Sequence, residues 1–351
     1  MTVVGVAGAG TMGAGIAALA AGAGFSTRLY DPDPQVLARA PDGPSPASDL
    51  AALAACDLVI EAAPENLDLK RDLFQRLAEI VSADCVLATN TSSLSVTAIA
   101  AEVSAPERVV GMHFFNPPGK MRLLEVVAGD SSGPDAAALA RRVGEAMGKH
   151  VIEAADGPGF IVNRCNRPFS LEAMRIVRDG DASFEEVDAA CLRAGFRMGP
   201  FALMDLVGID VGFAVARSFH EQSFGEPRWR PSPLAARLVA AGRLGRKTGS
   251  GWYEYPPGPP RVEASDEELD PIAERIVCQL VNEAYFGLGE GIGSAEDIDA
   301  GMVLGLNHPR GPFAWGEELG LAHVLGVLGS LRETGGDAYR PAPLLARQLR
   351  H

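Results

Sequence analysis

A glycine-rich turn near the N terminus constrains the fold of this chain more than any other sequence feature. The apolar run 3–7 ends at Gly8-Ala9-Gly10-Thr11-Met12-Gly13, which opens an alanine-rich helical segment. In this spacing the first glycine permits a tight turn, the second lets a pyrophosphate approach the backbone, and the third allows close packing of helix on strand. The segment therefore predicts a strand, a phosphate-binding turn and a helix. Its candidate cofactor contacts are Gly8, Gly10, Thr11, Met12 and Gly13.

A second apolar run, residues 27–30, ends at the acidic residue Asp31, eighteen residues after Gly13. A carboxylate at this distance can accept hydrogen bonds from both hydroxyls of a ribose, which favours NAD over NADP. The same glycine spacing also occurs in ordinary turns. Here the preceding strand, the following helix and the acidic residue together favour a dinucleotide site.

Further apolar runs alternate with helical patterns, as in a doubly wound α/β sheet. The predicted strands are residues 57–61, 86–90, 108–112 and 123–127. Ligands of such sheets bind beyond the carboxyl ends of the strands, so polar residues that follow a strand are candidates for the site. Ser92 is one of these. A serine after a strand is equally typical of a helix cap, and Ser93 or Ser95 is expected to cap a helix that begins near Val96.

His113 lies where a predicted strand leaves the sheet, and Glu125 lies inside the next apolar run. If the two strands are neighbours, an ionised Glu125 can accept from one imidazole nitrogen and raise the basicity of the other, which would make His113 a general base. The alternative for each residue alone is a core histidine bonded to a carbonyl and a glutamate whose head reaches solvent. The remaining histidines fall in predicted loops or helices or at the terminus: His150, His220, His308, His323 and His351.

Composition narrows the class of protein. With 351 residues and 47% hydrophobic content, the chain predicts two or three globular domains. Its net charge of −14 disfavours nucleic acid and anionic membrane surfaces as partners. The five cysteines form no C-x-x-C pair, which indicates reduced core thiols in a cytoplasmic protein. The sequence predicts no targeting segment, membrane span or metal site.

The second half of the sequence changes to amphipathic helical patterns and contains an internal repeat. Glu172, Asp188 and the segment 199–202 recur, with nearly the same spacing, as Glu283, Asp299 and 311–314. A proline-rich linker lies between the copies. The predicted domains are an NAD-binding domain, 1–156, a first helical domain, 157–255, and a second, repeated helical domain, 265–351.

Several motifs resemble those of the L-3-hydroxyacyl-CoA dehydrogenase family, over residues 1 to about 255. They are the glycine turn 8–17, Glu65-Asn66-Leu67, Asn90-Thr91-Ser92-Ser93, His113-Phe114-Phe115-Asn116-Pro117 with Glu125, and Gly157-Pro158-Gly159-Phe160-Ile161-Val162-Asn163-Arg164. The resemblance implies a Rossmann-like domain followed by an all-α region. It also implies NAD-dependent oxidation of (S)-3-hydroxyacyl-CoA to 3-ketoacyl-CoA, in fatty acid metabolism such as beta-oxidation.

The family assigns roles to matching residues of this sequence. By that resemblance His113 takes the hydroxyl proton, Glu125 orients it, Ser92 and Asn163 hold the substrate oxygen, and Asn116 positions nicotinamide and substrate. The residues that it implies in NAD binding, beyond the glycine turn, are Asp31, Ala62, Glu65, Lys70, Asn90 and Lys247. Without it, Glu65 and Lys70 are equally a helix-start acid and a solvated lysine.

The sequence departs from the family between Asp31 and Asp57. Family members carry a long helical hairpin there that contacts the CoA nucleotide, whereas here only twenty-five residues join the two positions, and 41–46 is loop-like. The missing hairpin suits a dehydrogenase of free 3-hydroxy acids, which is one alternative function. A non-catalytic NAD-binding protein is a second alternative. Single-copy family members dimerise through the helical module, so the repeat predicts an internal pseudo-dimer.

Overall fold

The computed structural model describes residues 2–260, 262 and 264–348. The chain forms two compact units, Met1–Phe160 and Ile161–His351. The first unit is a sheet with helices, and the second is helical. The predicted first helical domain, 157–255, lies in the second unit except for residues 157–160, which belong to the first unit. The predicted second helical domain, 265–351, also lies in the second unit, and its end, residues 349–351, lies outside the described residues.

The first unit contains one eight-stranded sheet among its described residues. Its strands are β1 (Val3–Ala7), β2 (Ser26–Tyr30), β3 (Ser45–Ala47), β4 (Leu58–Glu61), β5 (Val86–Thr89), β6 (Val109–Phe114), β7 (Leu123–Ala128) and β8 (His150–Ala155). They lie in the order β3-β2-β1-β4-β5-β6-β7-β8, and every neighbouring pair is parallel except β6 and β7. The strand order reverses between β1 and β4, where a doubly wound sheet opens a ligand crevice. The predicted α/β class is confirmed.

Helices connect the strands of this sheet. They are α1 (Thr11–Gly22), α2 (Pro34–Leu37), α3 (Leu67–Ile80), α4 (Val96–Ala100) and α5 (Pro134–Ala146). The hydroxyl of Ser95 accepts from the backbone N–H of Ala98 at 3.1 Å, so Ser95 is the N-cap of α4, as predicted. Between β2 and β4 the structure contains only α2, β3 and a 3₁₀ turn, in place of a long helical hairpin.

Two strands were not predicted from the sequence. Strand β3 includes Pro46, in a stretch expected to be a loop, and it pairs with β2 at the edge of the sheet. Proline is tolerated at an edge because its missing N–H removes no ladder bond on the outer side. Strand β8 begins at His150, so the expectation that His150 lies in a loop or helix is wrong. Its ring is exposed at the strand end.

The core of the first unit is apolar on both faces of the sheet. Strands β4 and β5 are buried along their whole length, as expected for central parallel strands covered by helices. Fully buried core residues include Val4, Val6, Leu58, Ile60, Ala88, Val110 and Leu124. Each buried Val, Leu or Ile side chain stabilises the fold by about 1.5–3 kcal/mol relative to exposure, which fixes the strand ends that carry polar residues.

The second unit is built from helices. They are α6 (Val162–Cys165), α7 (Arg167–Asp179), α8 (Phe184–Arg193), α9 (Pro200–Val207), α10 (Ile209–Gln222), α11 (Pro233–Ala240), α12 (Asp266–Gly289), α13 (Ala295–Leu306), α14 (Pro312–Leu319), α15 (Leu321–Gly335) and α16 (Pro343–Gln348). Among the helices that the structure describes in either unit, none combines the length and the apolar character that crossing a membrane would require. All five cysteines are buried and free.

In both copies of the repeat, an aspartate caps the N-terminus of a following helix. Asp188 in α8 accepts from the first backbone N–H groups of α9, at Phe201 and Ala202, at 2.8 and 2.9 Å. In the second copy, Asp299 accepts in the same way from α14 at 2.8 and 3.1 Å. Such bonds satisfy N–H groups that a helix leaves without intrahelical partners. Burial nevertheless raises the pKa of Asp188 to about 6.

Reciprocal ion pairs join the two copies. Arg164 pairs with Glu283 at 3.1 Å, and Arg275 pairs with Glu172 at 2.6 Å. In each copy the arginine precedes the glutamate by eight residues, so the same two positions contact each other in both directions. This is the pattern of a twofold, self-complementary interface, here formed within one chain.

Candidate functional site

The glycine turn between β1 and α1 leaves space for a ligand. A Cβ on Gly8, which has φ +108°, would lie 2.7 Å from the carbonyl oxygen of Ala62, and one on Gly13 would lie 1.8 Å from the carbonyl oxygen of Gly8. A Cβ on Gly10 would meet no atom within 4 Å. The first and third glycines are therefore required by the fold, whereas the second faces open space at the N-terminus of α1. Backbone N–H groups there favour an anion.

A cavity of about 740 Å³ opens beside this turn. This volume lies within the range of about 300–1,000 Å³ typical of small-molecule and cofactor sites. The predicted residues that line it are Gly8, Gly10, Thr11, Met12, Asp31 and Ala62. This cavity thus lies where the strand order reverses. It is bounded there by the glycine turn, by the acidic residue after β2 and by the end of β4.

Backbone donors hold Asp31 at the edge of this cavity. Its Oδ2 accepts from Ala9 N–H at 2.8 Å, and its Oδ1 accepts from Asp33 N–H at 2.9 Å. A carboxylate has about four acceptor positions, so Asp31 can accept further bonds from a ligand. The residues present fit a dinucleotide whose pyrophosphate lies at the helix start and whose ribose lies at Asp31.

Further residues that line this cavity were not predicted from the sequence. They are Tyr30, Pro32, Val36, Ala63, Pro64, Leu69, Asp72, Leu73 and Arg76. Leu69 and Arg76 lie on α3 together with Asp72 and Leu73, which also line the cavity. Their spacing of three, four and seven residues marks one face of a helix, a signal that was available in the sequence.

Lys70 is buried in the first unit, with 1% of its surface exposed. Its Nζ pairs with Glu61 Oε1 at 2.6 Å and donates to the carbonyl of Ala63 at 3.2 Å. Interpreting Lys70 as a solvated lysine is therefore wrong. The ion pair joins the start of α3 to the end of β4, beside Ala62, and so fixes that part of the cavity wall.

Glu65 holds the loop that carries Ser92. Its Oε1 accepts from Thr91 Oγ1 at 2.6 Å, from Ser92 N–H at 3.1 Å and from Ser93 Oγ at 2.9 Å. Burial raises the pKa of Glu65, but the hydrogen bond from Thr91 and the charge of Lys70 outweigh it and hold this pKa below its usual value. An ionised Glu65 therefore stabilises the conformation in which Ser92 is exposed beyond β5.

The side chain of Asn90 joins the ends of β5 and β6. Its Oδ1 accepts from the backbone N–H of Phe114 at 2.9 Å. Asn116 follows β6 and is exposed. Both amides therefore lie at the carboxyl ends of adjacent strands, as the sequence predicts for ligand-facing residues.

His113 and Glu125 are direct partners in the antiparallel ladder of β6 and β7. His113 Nδ1 and Glu125 Oε2 are 2.5 Å apart, and the carboxylate is completely buried. The rings of Phe115 and Phe160 lie 4.6 and 5.9 Å from the imidazole centroid. The alternative in which Glu125 reaches solvent is wrong. When Glu125 is ionised it accepts from Nδ1–H, and Nε2 of the neutral ring then carries the free lone pair.

The other two predicted site residues lie in the second unit. Asn163, on α6, lines a smaller cavity of about 220 Å³. Lys247 is 45% exposed, and its Nζ pairs with Asp210 at 2.6 Å.

Comparison with protein families gives matches along both units. The model of the "3-hydroxyacyl-CoA dehydrogenase, NAD binding domain" matches residues 3–45 and 42–157. The model of the "3-hydroxyacyl-CoA dehydrogenase, C-terminal domain" matches twice, at residues 159–255 and 272–351. The second match supports the duplication inferred from the sequence.

Individual proteins are similar over most of the chain. 3-Hydroxyadipyl-CoA dehydrogenase of Escherichia coli is 35% identical, covering 98% of this chain and 97% of the relative. A probable 3-hydroxybutyryl-CoA dehydrogenase of Deinococcus radiodurans is 38% identical and covers 72% of this chain and 99% of its own length. The crystal structure of 3-hydroxybutyryl-CoA dehydrogenase from Escherichia coli superposes with a TM-score of 0.93, at 34% identity, over 99% of this chain and 98% of that one.

Substituting Gly10 by Ala tests the cofactor cavity. We expect Gly10→Ala to leave the thermal unfolding temperature unchanged, because the methyl group meets no atom of the fold. It should weaken NAD binding about tenfold or more, because the methyl displaces charge-assisted bonds between pyrophosphate and backbone. Gly22→Ala, at the other end of α1 and equally free of contacts, is the control. Titration with NAD measures both variants, and an unchanged Kd for Gly10→Ala would contradict this site.

Proposed function

This chain belongs to the 3-hydroxyacyl-CoA dehydrogenase family and is an NAD-dependent oxidoreductase, and we propose that His113, oriented by Glu125, is its catalytic base. The main support for this proposal is the buried contact between His113 Nδ1 and Glu125 Oε2, which are 2.5 Å apart. The reaction is oxidation of a 3-hydroxyacyl-CoA to the 3-ketoacyl-CoA. NAD, when bound, accepts the hydride from carbon 3.

The protein residues supply the proton transfer and the positioning. As the carbon–hydrogen bond breaks, Nε2 of His113 takes the proton of the 3-hydroxyl, and the oxygen becomes a ketone. Glu125 stabilises the imidazolium that forms and keeps the ring in the orientation needed for this transfer. We propose that Ser92 and Asn163 donate to the substrate oxygen. Asn116 is proposed to position the reacting groups.

Substitution of His113 tests this assignment. We expect His113→Ala to reduce turnover about a hundred- to ten-thousandfold, the usual contribution of a general base, with NAD affinity nearly unchanged. His150→Ala, an exposed histidine on the same sheet, should keep wild-type turnover. Glu125→Gln should also lower turnover, because a neutral amide does not stabilise the imidazolium. Turnover of His113→Ala equal to that of the wild type would dismiss the base, and with it the mechanism.

The NAD contacts follow from the cavity in the first unit. We propose that Gly10 faces the pyrophosphate in the turn that Gly8 and Gly13 shape by close packing, and that Asp31 accepts from the ribose. Thr11, Met12, Ala62 and Asn90 complete the binding surface in this proposal. Glu65 and Lys70 act through the loops that they fix, since Lys70 is buried against Glu61. Lys247 remains a proposed contact that rests on the family resemblance alone.

The short connection between β2 and β4 bears on the acyl carrier. The family model matches this domain in two pieces, 3–45 and 42–157, which meet at the position of the missing hairpin. The structure describes only α2, β3 and a 3₁₀ turn there. Chemistry at carbon 3 does not need the hairpin, whose role in the family resemblance is to contact the CoA nucleotide. A dehydrogenase of free 3-hydroxy acids is therefore the second candidate.

A pair of substrates separates the two candidates. We expect NADH formation with 3-hydroxybutyryl-CoA at a kcat/KM well above that with free 3-hydroxybutyrate, because both family models come from CoA-thioester dehydrogenases. The absorbance of NADH reports both rates. Equal or greater efficiency with the free acid would favour the second candidate. Shortened acyl-pantetheine substrates then show how much the nucleotide contributes.

We propose that the repeated helical modules form an internal pseudo-dimer. The support is the crossed pairing of Arg164 with Glu283 and of Arg275 with Glu172. Removing one partner of such a buried pair leaves an uncompensated charge, so each copy depends on the other. A chain that ends after the first module would expose this surface. The Deinococcus relative, which covers 72% of this chain and 99% of its own length, shows that a chain of about that extent exists.

Truncation tests the pseudo-dimer. We expect residues 1–255 to form dimers, because the exposed Arg164 and Glu172 of one copy can pair with those of a second copy. Arg164→Ala in the same truncated chain should prevent this. Light scattering after size exclusion measures both masses. A truncated chain that stays monomeric and folded would contradict the proposal.

We propose a cytoplasmic location for this protein. The support is chemical: five buried, free cysteines are compatible with a reducing compartment.

A further inference from the structure

A small, mainly apolar cavity in the second unit has one charged side chain among the described residues that line it, Arg167. This cavity of about 220 Å³, the Asn163 cavity, is lined by residues of α6, α7, α9, α10, α11 and α13. Apolar residues dominate its wall, among them Phe169, Leu203, Met204, Val207 and Phe213. Arg167 is the charged residue of the wall, and no acidic residue lines it.

Arg167 is half-buried, and its contacts differ from those of the buried arginines of this unit. Arg164, Arg175 and Arg228 each pair with a glutamate. Arg167 forms no ion pair with any residue that the structure describes. Its Nε donates to the carbonyl of Asn163 at 3.2 Å, and its guanidinium lies 5.4 Å from the ring centroid of Phe219.

Those two contacts leave the terminal nitrogens of the guanidinium available to the cavity. Burial lowers the pKa of Arg167 to about 10, so the group remains a cation at neutral pH. A half-buried guanidinium that faces apolar side chains and has no counter-ion attracts an anion that enters the cavity, because partial burial strengthens the attraction between opposite charges. The planar fork of a guanidinium matches a carboxylate through two parallel hydrogen bonds.

The size of the cavity restricts the anion. Its volume of about 220 Å³ falls below the range of about 300–1,000 Å³ usual for drug-sized ligands, so a nucleotide does not fit. A short acyl tail does. Asn163 and Arg167 are four residues apart, which places their side chains about 5–6 Å apart at Cβ where the backbone is helical. A carboxylate bound by Arg167 therefore lies a few carbons from an oxygen bound by Asn163.

We propose that the Asn163 cavity binds a short acyl tail that ends in a carboxylate and that Arg167 pairs with that carboxylate. The substrate class is then the CoA thioester of a 3-hydroxy dicarboxylic acid. This inference rests on the proposed function, because it takes Asn163 as the residue that holds the 3-hydroxyl oxygen. It adds a specificity-determining residue outside the motifs that carry the chemistry.

A matched pair of substrates tests this inference. One is (S)-3-hydroxyhexanoyl-CoA, and the other carries a carboxylate in place of the terminal methyl group. We expect the wild-type protein to prefer the carboxylated substrate in kcat/KM by about ten- to a hundredfold, the value of a charge-assisted pair. Arg167→Met should abolish this ratio, and Arg167→Lys should retain part of it. Arg178→Met, an exposed arginine on the same helix, should leave the ratio unchanged.

Each result has a distinct meaning. Oxidation of both substrates with equal kcat/KM by the wild-type protein overturns the inference and leaves the proposed function intact. A preference that survives in Arg167→Met also overturns it. Failure to oxidise either substrate removes the proposed function, and the inference falls with it. The wild-type comparison decides the question even if Arg167→Met does not fold.

Discussion

The pairing of His113 with Glu125 is the interaction on which the proposed chemistry of this protein depends. Directly opposed residues of neighbouring strands point to the same face of a sheet, so the antiparallel register of β6 and β7 brings both side chains together. Strand β7 is the one that runs against its neighbour β6 in a sheet whose other pairs are parallel. A fully buried carboxylate is costly without a partner, and here the imidazole at 2.5 Å supplies one. The same contact that makes Glu125 compatible with the core fixes the tautomer that the proposed base catalysis requires.

The position of the proposed cofactor cavity is determined by a second feature, the reversal of strand order between β1 and β4. Gly8 and Gly13 are required by backbone contacts, whereas Gly10 is required by nothing in the protein itself. A glycine that the fold does not require, at a helix N-terminus and beside a cavity of about 740 Å³, is consistent with the proposed pyrophosphate contact. The ion pair between Glu61 and Lys70 stabilises the wall of this cavity, because it joins β4 to α3.

Local patterns in the sequence were sufficient to predict the glycine turn, the acid after β2 and the histidine at the end of β6, because each depends on residues close in sequence. The pairing of Glu125 with His113 was predictable since two adjacent strands are the simplest arrangement. Strand β3 was missed because three residues that include Pro46 carry too little pattern. The burial of Lys70 depends on a glutamate from another strand, and the isolation of Arg167 depends on what its surroundings lack. Neither property is visible in a sequence of one chain.

The second helical module has the same capping and ion-pairing residues as the first, but it differs at the position of Asn163. Asp299 caps α14 as Asp188 caps α9, and Arg275 corresponds to Arg164 in the crossed ion pairs. The residue before each of these arginines differs, because Asn163 of the first module corresponds to Glu274 of the second. Glu274 pairs with the exposed His323 instead of lining the Asn163 cavity. The second module does contribute Leu306 to that cavity. The ion-pairing residues that join the two modules are therefore the same in both copies, whereas the position for which we propose a substrate contact differs. This is the outcome expected of the proposed internal pseudo-dimer, in which one copy serves as the partner of the other.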